Sequence, residues 1–161
     1  MNKKDVENTF SEIRFLASIR HKHVVGFLEA FTDHTDLCIV MEYCGCGDLS
    51  QKIDRYKRRR QYIDENVIWR YLIQLLKALA CLHQHGICHR DLKCANIFIA
   101  DDGSVKIGDL NVSKCLQQGA LLQTQIGTPY YMAPEIWNSR PYNWSCDMWS
   151  IGCLIYEVIK I

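Results

Sequence analysis

The spacing of apolar positions changes along the chain, and each change marks an element. Val6, Phe10, Ile13, Leu16 and Ala17 recur at intervals of three and four, as on one face of a helix. Val24–Phe31 and Leu37–Tyr43 read as strands, with the polar stretch Thr32–Asp36 as the hairpin turn between them. Asp48–Gln61 predicts a short amphipathic helix on Leu49, Ile53 and Tyr56; its basic end, Lys57–Arg60, suits the negative end of the helix dipole. The longest helix is expected from about Asp64 to His85. There Ile68, Leu72, Leu75, Leu79 and Leu82 alternate spacings of four and three, and Gly86 supplies the stop. Ile97–Ile99 and Val105–Ile107 are short strands around Asp101-Asp102-Gly103-Ser104, a hairpin signal. The segment Asn111–Ser139 has no clear period and is expected to be a long loop, which in a compact domain points to function. Trp144–Ile161 predicts a closing hydrophobic helix.

Composition narrows the class. The chain has 161 residues, 48% hydrophobic and 23% charged, which fits one globular domain with a core. A formal net charge of +1 gives no reason to expect nucleic acid or an acidic membrane as partner. Met1–Asn8 is polar and unlike a secretory signal. Met148–Ile161 is the most apolar stretch, but Glu157 and Lys160 interrupt it and it is too short to span a bilayer. Several of the nine cysteines (Cys38, Cys81, Cys153) sit singly in apolar runs, so they read as small buried hydrophobes in a reducing compartment. Cys44 and Cys46 form a C-x-C without a second pair at zinc spacing, which argues against a metal there.

The chemistry is concentrated in His89-Arg90-Asp91-Leu92-Lys93-Cys94-Ala95-Asn96, followed by Asp109-Leu110-Asn111. Together these resemble the catalytic loop and metal-binding motif of protein kinases. A two-residue turn at Asp102-Gly103 would set Ser104 across from Asp101 and, counting outward, Asn96 across from Asp109. An amide oxygen and a carboxylate would then face one another, both hard ligands suited to Mg²⁺. The resemblance implies that Asp91 accepts the proton of a substrate hydroxyl, Lys93 holds the transferring phosphate of ATP, and Asn96 and Asp109 hold Mg²⁺. It also implies a hinge at Met41-Glu42-Tyr43-Cys44 that meets adenine. Asp48 would lie near the ribose, Phe98 under the adenine ring, and Glu12 would pair with an ATP-contacting lysine. Gly127-Thr128-Pro129-Tyr130-Tyr131-Met132-Ala133-Pro134-Glu135 resembles the end of an activation segment. Asp147-Met148-Trp149-Ser150-Ile151-Gly152 resembles the helix that anchors the large lobe, whose Asp bonds the catalytic-loop backbone in that family. Lys93 and Thr128 favour Ser/Thr over Tyr as acceptor.

Within the superfamily, Ser11–Ile19, Gly108–Lys114 and Gly127–Tyr131 are most similar to the NIMA-related (Nek) kinases. The implied fold is α+β and protein-kinase-like, a partial domain over 1–161. Residues 9–43 would give the αC helix and hinge of the small lobe, and 44–161 the mainly helical large lobe as far as its central αF helix. Arg90, Thr124 and Thr128 are the expected regulatory residues, with phosphate on Thr124 pairing with Arg90. Implied partners are protein substrates bearing Ser or Thr, with cytoskeletal or ciliary proteins by family association, in the cytoplasm, the cilium or the nucleus.

The sequence departs from the family at several places. Leu110-Asn111 stands where Phe-Gly is usual; Asn tolerates positive φ better than most residues. No Gly-rich phosphate loop or Val-Ala-Ile-Lys strand precedes Glu12, and Lys3 and Lys4 lie too close to it for the lysine's role. The arginine that pairs with Glu135 in the family also has no counterpart. The chain therefore reads as a fragment of an active kinase, expected to be poorly soluble or molten alone. The alternative is a catalytically inactive scaffold or binding module.

Overall fold

The computed structural model describes residues 17–34, 36–110, 114–115, 121–122, 124 and 126–161. The predicted helix over residues 6–17 lies almost wholly outside them. Phe27–Asp33 (β1) and Asp36–Met41 (β2) form an antiparallel hairpin. Leu49–Arg59 is α1 and Glu65–Gln84 is α2. Ile87–Cys88 (β3) pairs with Lys114–Cys115 (β6), and Ile97–Ile99 (β4) with Val105–Ile107 (β5), both antiparallel. Cys94–Asn96 and Pro129–Tyr131 are 3₁₀ turns, Pro134–Trp137 is the short α3, and Ser145–Ile159 is α4.

Side-chain caps set where the two long helices begin. The Asp48 carboxylate accepts from the Gln51 N–H at 2.9 Å, and Asp64 does the same for Asn66 at 2.9 Å. At the far end of α1, Arg60 takes a left-handed conformation (φ 51°). The inward face of α2 buries Tyr71, Leu75, Ala78, Leu79 and Leu82. These join Leu92, Ile97, Val105 and Ile107 from the hairpin side and Ile151, Leu154 and Val158 from α4 in one core. The 89–96 loop is thus caught between two long helices and a β-hairpin. No helix among the described residues is long and apolar enough to cross a membrane.

Four expectations need correction. The β4–β5 register is one residue off: Ile97 pairs with Ile107 and Ile99 with Val105, so Asn96 faces Gly108 rather than Asp109. The cause is a three-residue loop, Asp101–Gly103, in which Gly103 at φ 74° donates its N–H to the Ala100 carbonyl. Next, β1 starts at Phe27 rather than Val24, because the preceding residues bond elsewhere. Val25 donates to the Ile107 carbonyl and Ile107 to the His23 carbonyl, each at 2.8 Å. Finally, the segment 111–139 is not all loop, since it contains β6, a 3₁₀ turn and α3. The cysteines also sort differently: Cys38, Cys81 and Cys153 are half-buried, while Cys88, Cys94 and Cys146 are fully buried.

Candidate active site

The 89–96 loop is held from beneath by one carboxylate. Asp147, in the first turn of α4, is completely buried. Its two oxygens accept the backbone N–H of His89 and of Arg90, each at 2.9 Å, and the His83 Nε2 at 2.8 Å. Burial pushes its pKa up, but the bonds from His83 and the loop backbone win and hold it below the usual carboxylate range. Beside it, the Cys88 and Cys146 sulfurs meet at 3.5 Å. Their hydrogen bond, with burial second, pushes the Cys88 thiol far up, so it is a packing group rather than a nucleophile.

His89 joins the loop to the hairpin. Its Nε2 lies 3.0 Å from the Gly108 carbonyl and its Nδ1 accepts the Asp91 N–H at 3.3 Å. Those two bonds require the neutral ring with the proton on Nε2. Arg90 (φ 69°) and Asp109 (φ 56°) both take the left-handed conformation, unusual for residues with a side chain. Such strain persists only where surrounding bonds over-determine it, as the Asp147 carboxylate does for Arg90.

Above the loop, side chains converge on Asp91. One of its oxygens accepts the Thr128 N–H at 3.0 Å and the Thr128 hydroxyl at 2.7 Å. The other accepts the Lys93 ammonium at 2.8 Å and the Asn96 Nδ2 at 3.2 Å. Lys93 also donates to the Thr128 hydroxyl at 3.0 Å, and Asn96 Nδ2 to the Asp91 carbonyl at 2.8 Å. With its amide nitrogen turned to Asp91, Asn96 keeps its oxygen as a hard acceptor. Burial raises the Asp91 pKa, but Lys93 and Thr128 outweigh it and hold the group ionised. Thr128 reaches this position because the chain passes hard against the loop at Gly127. A Cβ there would stand 2.8 Å from the Arg90 carbonyl oxygen, and φ is 128°. Nearby, the Arg90 guanidinium donates to the Thr124 hydroxyl at 3.2 Å, and the Tyr142 hydroxyl donates to the Thr124 carbonyl at 2.8 Å.

A cleft of about 380 Å³ opens next to the hairpin. Met41, Glu42, Tyr43, Cys44, Phe98 and Asp109 all line it, so the expected hinge meets Phe98 and Asp109 there. Asp48 is not in its lining; that carboxylate caps α1. Glu12 lies outside the described residues. Glu42 is anchored by Lys106 at 2.7 Å and by the Gly26 N–H at 3.0 Å, and these hold its pKa low. Gly108 lets Phe98 lie flat against the backbone, since a Cβ there would sit 2.7 Å from the ring. A larger cavity of about 770 Å³ lies along α4, lined by Tyr130, Trp149, Tyr156 and Glu157 among others. It contains none of Asp91, Lys93, Asn96 or Asp109. Convergent polar groups, not size, locate the site.

Reading the sequence missed His83, the Cys88–Cys146 contact and the bridging role of His89. These contacts join residues far apart in the chain, and no local pattern announces them.

Comparison with known proteins identifies the family. The family model described as protein kinase domain matches residues 1–160. A probable serine/threonine-protein kinase nek2 of Dictyostelium discoideum is 39% identical, covering 100% of this chain and 40% of that protein. Serine/threonine-protein kinase Nek9 of Mus musculus is 37% identical, over 100% of this chain and 16% of its own length. The G2-specific protein kinase nimA of Emericella nidulans is 36% identical, over 99% and 27%. The chain therefore spans 40% or less of the length of these relatives.

Proposed function

This chain belongs to the protein kinase family, and from that premise we propose that it carries the central part of a Ser/Thr kinase domain, residues 1–161, which phosphorylates protein hydroxyls. Bound ATP and Mg²⁺ would supply the electrophilic γ-phosphorus and neutralise charge on the phosphate oxygens. The carrying observation is the knot of Asp91, Lys93, Asn96 and Thr128, in which a carboxylate accepts from a cation, an amide nitrogen and a hydroxyl.

Each side chain has a task that its chemistry permits. Asp91 orients the acceptor hydroxyl and takes its proton as the oxygen bonds to phosphorus and the bond to the departing ADP breaks. Its lowered pKa makes it a weak base, so orientation is the larger part of its contribution. Lys93 shares its ammonium between Asp91 and the transferring phosphoryl group. The Asn96 amide oxygen and the Asp109 carboxylate are hard donors that fit Mg²⁺. The fit needs no hairpin register that pairs them; Asp109 reaches the cleft through its own left-handed turn. Met41 and Phe98 would enclose adenine against the Glu42–Cys44 backbone, with Asp48 toward the ribose end. Glu12 would pair with a lysine from elsewhere in the parent protein.

Regulation follows from Arg90. A phosphate on Thr124 would place about −1.5 to −2 charge where the Arg90 guanidinium already bonds the hydroxyl. Substrates would be proteins with accessible Ser or Thr, with cytoskeletal or ciliary partners and a cytoplasmic location by family association. The test is Asp109→Ala in the full-length parent protein. Phosphate transfer should collapse while the melting temperature stays within a few degrees. Undiminished transfer would refute the assignment.

A further inference from the structure

A second surface lies apart from the cleft and the loop, on the outer face of α2. Trp69 and Ile73 stand one helical turn apart and are 56% and 49% exposed. A single exposed apolar residue is ordinary, but two large ones on one face form a patch. Arg70 and Lys77 share this face, and Lys22 approaches from the segment before β1. Together they line a groove of about 450 Å³. Among the described residues, no Asp or Glu lines that groove. Outside the lining, Glu65 accepts the Trp69 indole N–H at 3.2 Å and so orients the ring. The local field is positive: burial first, then the charges of Lys22, Lys106 and Lys77, push the His21 imidazole pKa down.

We propose that this groove docks an acidic peptide segment of a partner protein, with a large apolar side chain seated on Trp69 and Ile73 and carboxylates meeting Lys22, Arg70 and Lys77. Trp and Arg are the residue types enriched at interface hot spots, and a preset indole loses little entropy on binding. Charge complementarity singles out this occupant. A bare apolar segment would leave three cations facing no partner, and a basic one would be repelled. Single-stranded nucleic acid is the poorer fit. It needs a run of cations and several stacking rings, whereas this groove has one exposed ring, with His23 buried, and the whole chain carries only +1. The groove shares no lining residue with the hinge cleft, so docking here would recruit a partner without blocking the proposed active site.

The test is selection of short peptides from an unbiased displayed library on the full-length parent protein, with binding read by anisotropy and by Trp69 fluorescence. Enriched peptides should be net acidic with at least one large apolar residue. Their affinity should fall about tenfold, roughly 1.4 kcal/mol, in Arg70→Glu/Lys77→Glu and by a similar factor in Trp69→Ala. Added salt should weaken them further. Circular dichroism of each variant checks that the fold persists, and the milder Lys77→Gln keeps the test valid if the double reversal does not fold. The proposal is overturned if enriched peptides are neutral or basic, if folded variants bind them unchanged, or if a single-stranded RNA of similar length binds the groove more tightly.

Discussion

The floor and the roof of the 89–96 loop are built around one aspartate each, and they are built differently. Asp147 below is wholly buried and bonds mainly to backbone N–H groups. Asp91 above is partly open, with its side chain 14% exposed, and bonds mainly to side chains. Both are held ionised against a desolvation penalty, by different means. Backbone donors at Asp147 cannot leave, so that carboxylate fixes the shape of the loop. The Lys93 and Thr128 side chains around Asp91 can rotate, so that carboxylate can release them and, in the proposed reaction, accept a substrate hydroxyl while Lys93 turns to the phosphate. The same residue type is structural where its partners are fixed and available for chemistry where they are mobile.

The contrast can be broken by substitution. Asp147→Ala leaves two loop N–H groups and His83 without their acceptor in the core. Folding stability should fall by about 3–5 kcal/mol, read from urea unfolding of the full-length protein. A loss below about 1 kcal/mol would show that the floor is not what holds the loop. Gly127→Ala forces a methyl group against the Arg90 carbonyl at a left-handed φ. It should cost about 1–3 kcal/mol and reduce phosphate transfer by moving Thr128 off Asp91. Thr124→Ala should lower activity by about threefold or more while leaving stability nearly unchanged. Full activity with no phosphate found at Thr124 would remove Arg90 from regulation.

The smallest effect concerns pH. Burial, reinforced by the charge of Lys22 and Lys106, lowers the pKa of both His21 and His23 in the folded chain, at His23 against the bond to the Val105 carbonyl. The unfolded chain then binds more protons near pH 6, so stability is retained above about pH 6.5 and declines as pH falls. Asp91, Asp147 and Glu42, all with lowered values, add a second decline below about pH 4. Unfolding midpoints measured from pH 7.5 downward should show both declines in that order. His23→Gln should blunt the first.

Local patterns made much of this legible. Apolar spacing placed the starts of α1 and α2 near Asp48 and Asp64, and in the structure both carboxylates cap those helices. The Asp91–Asn96 motif was readable because the loop carries its reactive groups within one short stretch. The hairpin register was misjudged because Asp102-Gly103 suits two loop lengths equally, and only the Gly103 bond to Ala100 selects the longer. Asp147 could be placed beneath the loop only by resemblance. The His83 bond to it and the Cys88–Cys146 contact depend on how α2 and α4 cross, which no spacing encodes. The groove beside Trp69 was hidden for the same reason, since Lys22 joins it only in three dimensions.

The most direct measurement is phosphate transfer from labelled ATP to a Ser/Thr-bearing protein such as casein, comparing the full-length parent with its Asp91→Asn variant. Transfer should fall by about a hundredfold or more while the variant melts within a few degrees of the parent, because Asn preserves the shape but not the charge. Equal transfer by both proteins would contradict the account, since Asp91 would then not be the acceptor-positioning carboxylate.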